Sequence, residues 1–315
     1  MNHAVGVTSS AKANGQGIPL LVVAFNRPLF LEKLLMELKK LPLGEIYFAF
    51  DGPRTSTDRA KISKGIDLAN SFASERKVRI KSSRANLGCC SNMISSLDWF
   101  YSNVEHGIVL EDDCLPSVKF LEFVNSRKYL IAQRSDLFMI SGQNPLKMCQ
   151  PSDHHESAYP LIHGWYTTSE KWREIRGDFF NSSRVRQSNG GKSRRKARVT
   201  SFWHAAKLRV KYGGLDTWDC FLVDAMFKRN LKAIVPPESL VENIGNGMGT
   251  HKANPFMEIR SPIYFSTDNF DQSLEKMFYR IRLRHVLTPY IRVSVDLARR
   301  FGLKVQNCVF SRVHH

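Results

Sequence analysis

Acid is scarce in this chain. Against 46 Lys and Arg there are only 29 Asp and Glu, a net charge of +17 over 315 residues. Such a balance excludes an acidic, self-solvating chain and implies an anionic partner: a nucleotide, a nucleic acid or a membrane surface. Cysteine is sparse too. Cys89, Cys90, Cys114, Cys149, Cys220 and Cys308 form no CxxC pair and no zinc spacing, so they read as free thiols in a reducing compartment. No apolar run approaches the ~20 residues needed to span a bilayer. Residues 1–17 are polar and rich in Gly, Ser and Ala, without the apolar core of a signal peptide. They are expected to form a disordered tail on a cytoplasmic protein. The glycines make neither GxGxxG after the first apolar run nor GxxxxGK[ST] anywhere. That excludes a dinucleotide-dependent dehydrogenase and a P-loop enzyme.

What is there is organised around residues 107–116. Ile108, Val109 and Leu110 form an apolar run of the kind that fills a central strand, and Glu111, Asp112 and Asp113 follow at once. Pro116 and the spaced Phe120, Leu121, Phe123 and Val124 then open a helix. The three acids therefore sit at the carboxyl end of a buried strand, where open α/β sheets place ligands. Adjacent carboxylates repel one another and call for a cation, and a hard divalent ion carrying a diphosphate suits oxygen ligands. The plain alternative for such a run is a charged turn.

Similar strand and helix signals flank this stretch. Residues 19–25 are an apolar run ended by Asn26-Arg27-Pro28, with Asn26 as a helix cap and Leu31, Leu34, Leu35 and Leu38 on one helical face. Residues 45–51 form a second strand that ends in Asp51-Gly52. Thr57 and Asp58 open the next helix, residues 77–80 are a short strand, Arg84 lies in a loop, and a helix covers residues 89–100. Residues 137–140 are a fifth strand and residues 232–237 a last core strand. Strands alternating with helices predict a largely parallel sheet. Four candidate stretches (Phe25-Asn26-Arg27, Asp51-Gly52, the Arg84 loop and the three acids) then fall at the same sheet edge. Arg27 and Arg84 suit phosphate there, and Asp51 suits the polar edge of a base or a ribose.

The quoted stretches resemble the GT-A glycosyltransferases, and within them the N-acetylglucosaminyltransferase I-like group and its bacterial relatives. The resemblance rests on residues 22–28, Phe50-Asp51-Gly52, Asn86-Leu87-Gly88, residues 109–113, Gly164-Trp165 and Trp218-Asp219, and spans about residues 18–251. It implies a GT-A domain over residues 18–265, with a nucleotide-binding half to about 145 and an acceptor half beyond. It further implies a UDP-linked nucleotide-diphospho-sugar donor, Mn2+ or Mg2+ as cofactor, and inverting transfer of N-acetylglucosamine or a related hexose. By the same resemblance Asp113 holds the metal, Asp112 the ribose and Asp51 the base. Glu111 lies near the donor sugar, Arg27 near the nucleotide, and Asp219 is the base, with Asp216 in reserve. The group carries two adjacent acids at that helix start, and Cys220 takes the second place here. The implied acceptor is a surface polysaccharide or a lipid-linked saccharide.

Other residues carry two readings each. Trp165 and Tyr166, in an expected site loop with Gly164, either touch the sugar or pack in the core, and Trp218 reads as core. His251, after a Gly-rich loop, is a metal or phosphate contact or a structural histidine. His154 and His155 are expected to be exposed in an irregular loop over 145–160. The basic insertion, about 183–212, and a basic helical extension, 266–315, are candidates for steering an anionic substrate and for lying on an anionic membrane. No aromatic interleaving supports nucleic acid. Two rival functions remain: a sugar-phosphate nucleotidyltransferase, and a non-catalytic basic protein that binds anionic polymers.

Overall fold

The computed structural model describes residues 17–148, 153–179, 203, 206–245, 263–265, 271 and 274. His251, residues 1–16, most of the basic insertion and nearly all of the C-terminal extension lie outside the described residues.

The first half alternates as expected: β1 (Ile18–Ala24), α1 (Pro28–Lys39), β2 (Leu43–Phe50), α2 (Ser56–Phe72), β3 (Val78–Ser82), α3 (Gly88–Asn103) and β4 (His106–Glu111). There follow β5 (Cys114–Pro116), α4 (Val118–Gln133), β6 (Leu137–Ser141), β7 (Leu146–Met148), β8 (His155–Ser157), β9 (Trp165–Thr168), α5 (Ser169–Arg176), α6 (Asp219–Arg229), β10 (Lys232–Val235), β11 (Val241–Asn243) and β12 (Ile263–Phe265). Eight strands form one sheet in the order β3-β2-β1-β4-β9-β6-β10-β8. β9 runs antiparallel to β4 and β6, and β8 antiparallel to β10; the other pairings are parallel. This is the mixed α/β fold that the sequence predicts, a mostly parallel central sheet flanked by helices.

Both sheet faces are buried, so its central strands are apolar throughout rather than alternating. On one face Leu20, Val22 and Ala24 of β1 join Leu31, Leu34 and Leu38 of α1, Ile62 and Ala69 of α2, and Phe120 and Val124 of α4. On the other, Leu21 and Val23 join Met93 and Leu97 of α3, Trp172 and Ile175 of α5, and Leu222 and Met226 of α6. α2 is capped by Thr55, whose side chain accepts from Asp58 N at 3.1 Å, and α5 by Thr168, accepting from Lys171 N at 3.2 Å.

Three local expectations are corrected. The stretch after Gly164 is not a loop but the strand β9, held in mid-sheet by aromatic and β-branched side chains. Trp165 is 1% exposed, and Thr167 bonds to the Phe138 carbonyl. Residues 155–157 form the edge strand β8, which leaves His154 and His155 half-buried rather than exposed. Asn26 does not cap α1: Arg27 stands at the cap position, without a side-chain cap bond, and the Asn26 amide donates to Asp58 at 2.6 Å.

The start of the C-terminal extension is tied to this body. Asp271 accepts from Ser157 Oγ at 2.6 Å and Ala158 N at 3.1 Å, and Leu274 is fully buried. Among the described residues no helix is long and apolar enough to cross a membrane.

Candidate functional site

From β1 the chain first builds outward through β2 to β3, then returns to lay β4 on the other side of β1. β1 and β4 thus flank a topological switch point, where the loops at their carboxyl ends part and leave a crevice. A cleft of about 730 Å3, measured out to its open mouth, lies there. Val23, Ala24, Phe25, Asn26 and Arg27 from the end of β1 line it, with Asp51 from β2 and Glu111 and Asp112 from β4. The structure thus brings together Phe25, Asn26, Arg27, Asp51, Glu111 and Asp112, with Asp113 alongside. Asp216 also lines the cleft, whereas Arg84 is exposed outside it. Arg54 takes the basic place near the mouth, its guanidinium 4.7 Å from the centre of the Phe25 ring.

The acids are arranged around Arg27. Its guanidinium pairs with Asp112 through one nitrogen and with Asp113 at 2.6 Å through another. Phe25 N donates to the second Asp112 oxygen at 3.3 Å. Burial pushes Asp112 up to about 6 against the pull of Arg27. Glu111 is pushed up to about 8, by burial first and then by Asp113. It accepts no hydrogen bond among the described residues. Arg27 is itself held above its usual range by Asp112 and Asp113, despite burial. One guanidinium thus pairs with two of the three carboxylates, and the set carries surplus negative charge.

That donor set fits a hard divalent cation in chemistry, being all carboxylate oxygen. Among the described residues no group of three His, Cys, Asp or Glu side chains is gathered to hold a metal. Among the described residues Asp113 could offer oxygen to such an ion, and phosphate and water oxygens would complete the shell there. Asp113 is closely framed: Asn243 Nδ2 lies 3.4 Å from Oδ1, and a Cβ on Gly245 would stand 2.1 Å from Oδ2. Only a glycine lets the backbone pass so near this carboxylate.

Asp51 is occupied structurally. It is 4% exposed and accepts from Gly52 N, Leu87 N, Gly88 N and the Asn86 amide, at 2.8 to 3.1 Å. It thereby pins the loop before α3 against the cleft. Asp216 is likewise a clamp: its oxygens accept from Cys89 N at 2.7 Å and Cys90 N at 2.9 Å, at the first turn of α3. Asp219 opens α6. Its Oδ1 accepts from Thr217 Oγ1 at 2.7 Å and Cys220 N at 2.8 Å, while its Oδ2 meets no donor among the described residues. Trp165 and Trp218 stack with centres 6.0 Å apart, both buried, which gives Trp165 its core reading and makes Trp218 core as expected. Cys89, Cys90, Cys114 and Cys220 are free thiols, and burial pushes Cys90 up to about 12.

Arg54 was not marked by the sequence, and Asn86 only as part of Asn86-Leu87-Gly88. Arg54 carried the weak signal of following Asp51-Gly52-Pro53.

No protein-family model matches the chain, and no curated protein matches it in sequence. Among solved structures it is similar to a mannosyltransferase from Pyrobaculum calidifontis in complex with GDP-Man and Mn2+, at 12% identity and a TM-score of 0.42, over 93% of this chain and 78% of that one. It is also similar to a UDP-glucose pyrophosphorylase complexed with UDP-glucose, at 9% identity and a TM-score of 0.39, over 84% of this chain and 100% of that one. A third is 4-diphosphocytidyl-2C-methyl-D-erythritol synthase from Anaerococcus prevotii, at 9% identity and a TM-score of 0.33, over 68% of this chain and 100% of that one. These likenesses are distant, and the reading of the site rests on its own geometry.

Proposed function

We propose that the chain is a glycosyltransferase that takes a sugar from a nucleotide diphosphate and passes it to a saccharide hydroxyl. The observation that carries this reading is the cleft at the β1/β4 switch point, where Arg27, Glu111 and Asp112 meet beside Asp113. A nucleotide fits the cleft's character: apolar walls from Val23, Ala24 and Met93, amides from Asn86 and Asn92, and two arginines toward the phosphate side.

In this reading Asp112 meets the ribose, Glu111 lies near the donor sugar, and Asp51 shapes the base pocket through the loop it pins. Arg27 turns from the acids to the diphosphate as the nucleotide enters, keeping its charge paired in both states. Asp113 is the proposed ligand of Mn2+ or Mg2+. When bound, such an ion supplies positive charge to the departing diphosphate. Asp219 accepts the proton of the acceptor hydroxyl at Oδ2, because that oxygen has no competing donor among the described residues. Asp216 is spoken for by the α3 backbone, which leaves Asp219 as the base. A lipid-linked acceptor and a membrane contact through the basic extension belong to the same proposal. Vesicle co-sedimentation of a chain cut after Leu274 tests that contact, and unchanged binding removes it.

The test of the reaction is product identity. Incubation with UDP- or GDP-sugars and Mn2+ should release the nucleoside diphosphate. Formation of a nucleoside triphosphate from the nucleotide sugar and pyrophosphate would instead make the chain a nucleotidyltransferase.

A further inference from the structure

We infer that Arg54 is a contact of the nucleotide's phosphates, and that Asp58, which does not itself line the cleft, positions it. The inference rests on the nucleotide-sugar reading and adds to it a phosphate contact that is set before any ligand enters.

The cations that line the cleft are Arg27 and Arg54. Arg27 is committed: one terminal nitrogen pairs with Asp112 and the other with Asp113 at 2.6 Å. Arg54 is not. Its Nε donates to Asp58 at 3.0 Å, and its two terminal nitrogens make no hydrogen bond among the described residues. Its side chain is 49% exposed. A guanidinium held at Nε and open at both terminal nitrogens still presents a fork that matches phosphate oxygens. An incoming diphosphate therefore meets Arg54 while Arg27 is still paired with the acids.

Two contacts hold Arg54 in place. Its Cζ lies 4.7 Å from the centre of the Phe25 ring, within cation–π range. Phe25 N donates to Asp112 at 3.3 Å, so this contact leads back to the acids. The second hold is Asp58, which is only 6% exposed. Asp58 stands at the third position of α2, where an acid ordinarily reaches back to the backbone of the cap residue. Here it reaches one residue further, since the Oδ2 that accepts from Arg54 Nε also accepts from Arg54 N at 3.2 Å. Its Oδ1 accepts from the Asn26 amide at 2.6 Å. One carboxylate thus joins the end of β1 to the loop after β2, and both side chains it holds line the cleft. An ion pair with a half-exposed arginine adds little to stability by itself. A carboxylate that orders two cleft side chains in advance spares a ligand that ordering when it binds.

The experiment is calorimetric titration of UDP, GDP and CDP, with Mn2+ present, into the unmodified protein. The diphosphate that binds is then titrated into Arg54→Ala, Arg54→Lys, Asp58→Asn and the double variant Arg54→Ala/Asp58→Asn. Its nucleoside is measured by displacement of the bound diphosphate. Diphosphate affinity should fall roughly tenfold in Arg54→Ala, the scale of one charged contact half open to water, while nucleoside affinity stays within about twofold. Arg54→Lys should recover part of the loss, because an ammonium keeps the charge without the fork. Asp58→Asn alone should weaken the diphosphate about threefold, and should weaken it no further once Arg54 is alanine, since a positioning residue acts through the group it positions. Equal losses on nucleoside and diphosphate would overturn the phosphate contact in favour of one to the base or ribose. Unchanged diphosphate affinity in Arg54→Ala would overturn it while leaving the nucleotide reading intact. No diphosphate binding by the unmodified protein would overturn both. Losses from Asp58→Asn that add to those from Arg54→Ala would overturn the positioning role. If Asp58→Asn fails to fold, Asp58→Glu, which keeps the charge and displaces it by a methylene, decides the same comparison.

Discussion

Asp216 and Asp219 lie three residues apart, and either could pass for the base by sequence; their surroundings assign them different work. Replacing Asp216 by alanine removes the acceptors of Cys89 N and Cys90 N, at 2.7 and 2.9 Å. Losing an acidic cap of this kind costs roughly 0.5–2 kcal/mol. Asp216 is exposed, which points to the middle of that range, about 1 kcal/mol. For a domain of this size the melting temperature should fall by about 2–4 °C. Because the cap also steadies the loop pinned by Asp51, nucleotide affinity should weaken modestly and the chemical step little. Asp219→Asn should behave in the opposite way. Its amide oxygen can keep the bonds from Thr217 and Cys220 N, so the melting temperature should move by less than about 1 °C. An amide cannot take the acceptor proton, so turnover should drop roughly a hundredfold to ten-thousandfold. Thermal unfolding by circular dichroism and release of nucleoside diphosphate measure the two effects. An Asp216→Ala protein with an unchanged melting temperature and lost turnover, or an active Asp219→Asn protein, would refute the assignment.

Three other perturbations follow from the acid cluster. Arg27→Ala strands Asp112 and Asp113, both buried; discounted for the partial exposure of Arg27, the loss should be about 2–4 kcal/mol in urea denaturation, and a loss below about 1 kcal/mol contradicts the pairing. Gly245→Ala puts a Cβ 2.1 Å from Asp113 Oδ2, so Mn2+-dependent nucleotide binding should weaken by at least about tenfold while the far-ultraviolet spectrum is kept; undiminished binding would show that Asp113 is not needed where it stands. Glu111 has its pKa pushed from 4.5 up to about 8, so the folded chain keeps a proton that the unfolded chain releases between those values. Stability should therefore decline as pH rises through that window, by an amount on the order of a few kcal/mol, and Glu111→Gln should flatten the slope. Urea midpoints at about pH 5 and about pH 9, in the presence of a chelator, compare the two; parallel slopes would mean that Glu111 ionises freely.

The parallel half of the sheet was legible because its strands are buried on both faces and read as unbroken apolar runs, such as Leu20 to Ala24 and Ile108 to Leu110. Glu111, Asp112 and Asp113 stood out by ending such a run. β9 was not legible: it is four residues long, follows a glycine with positive φ, and is selected by neighbours that the local sequence does not contain. β8 reads His-Glu-Ser and is a strand only because β10 offers it an edge. The role of Asp216 was hidden for a similar reason, since the helix it caps begins more than a hundred residues earlier. Arg54 gains its meaning from Phe25, a partner that sequence spacing cannot supply.

Nucleotide binding itself is the most direct test. Titration of UDP, GDP and CDP into the protein, with and without Mn2+, should show one nucleoside diphosphate that binds in a metal-dependent manner and loses that dependence in Asp113→Ala. Absence of binding to all three with the metal present would contradict the nucleotide-sugar reading of the β1/β4 cleft.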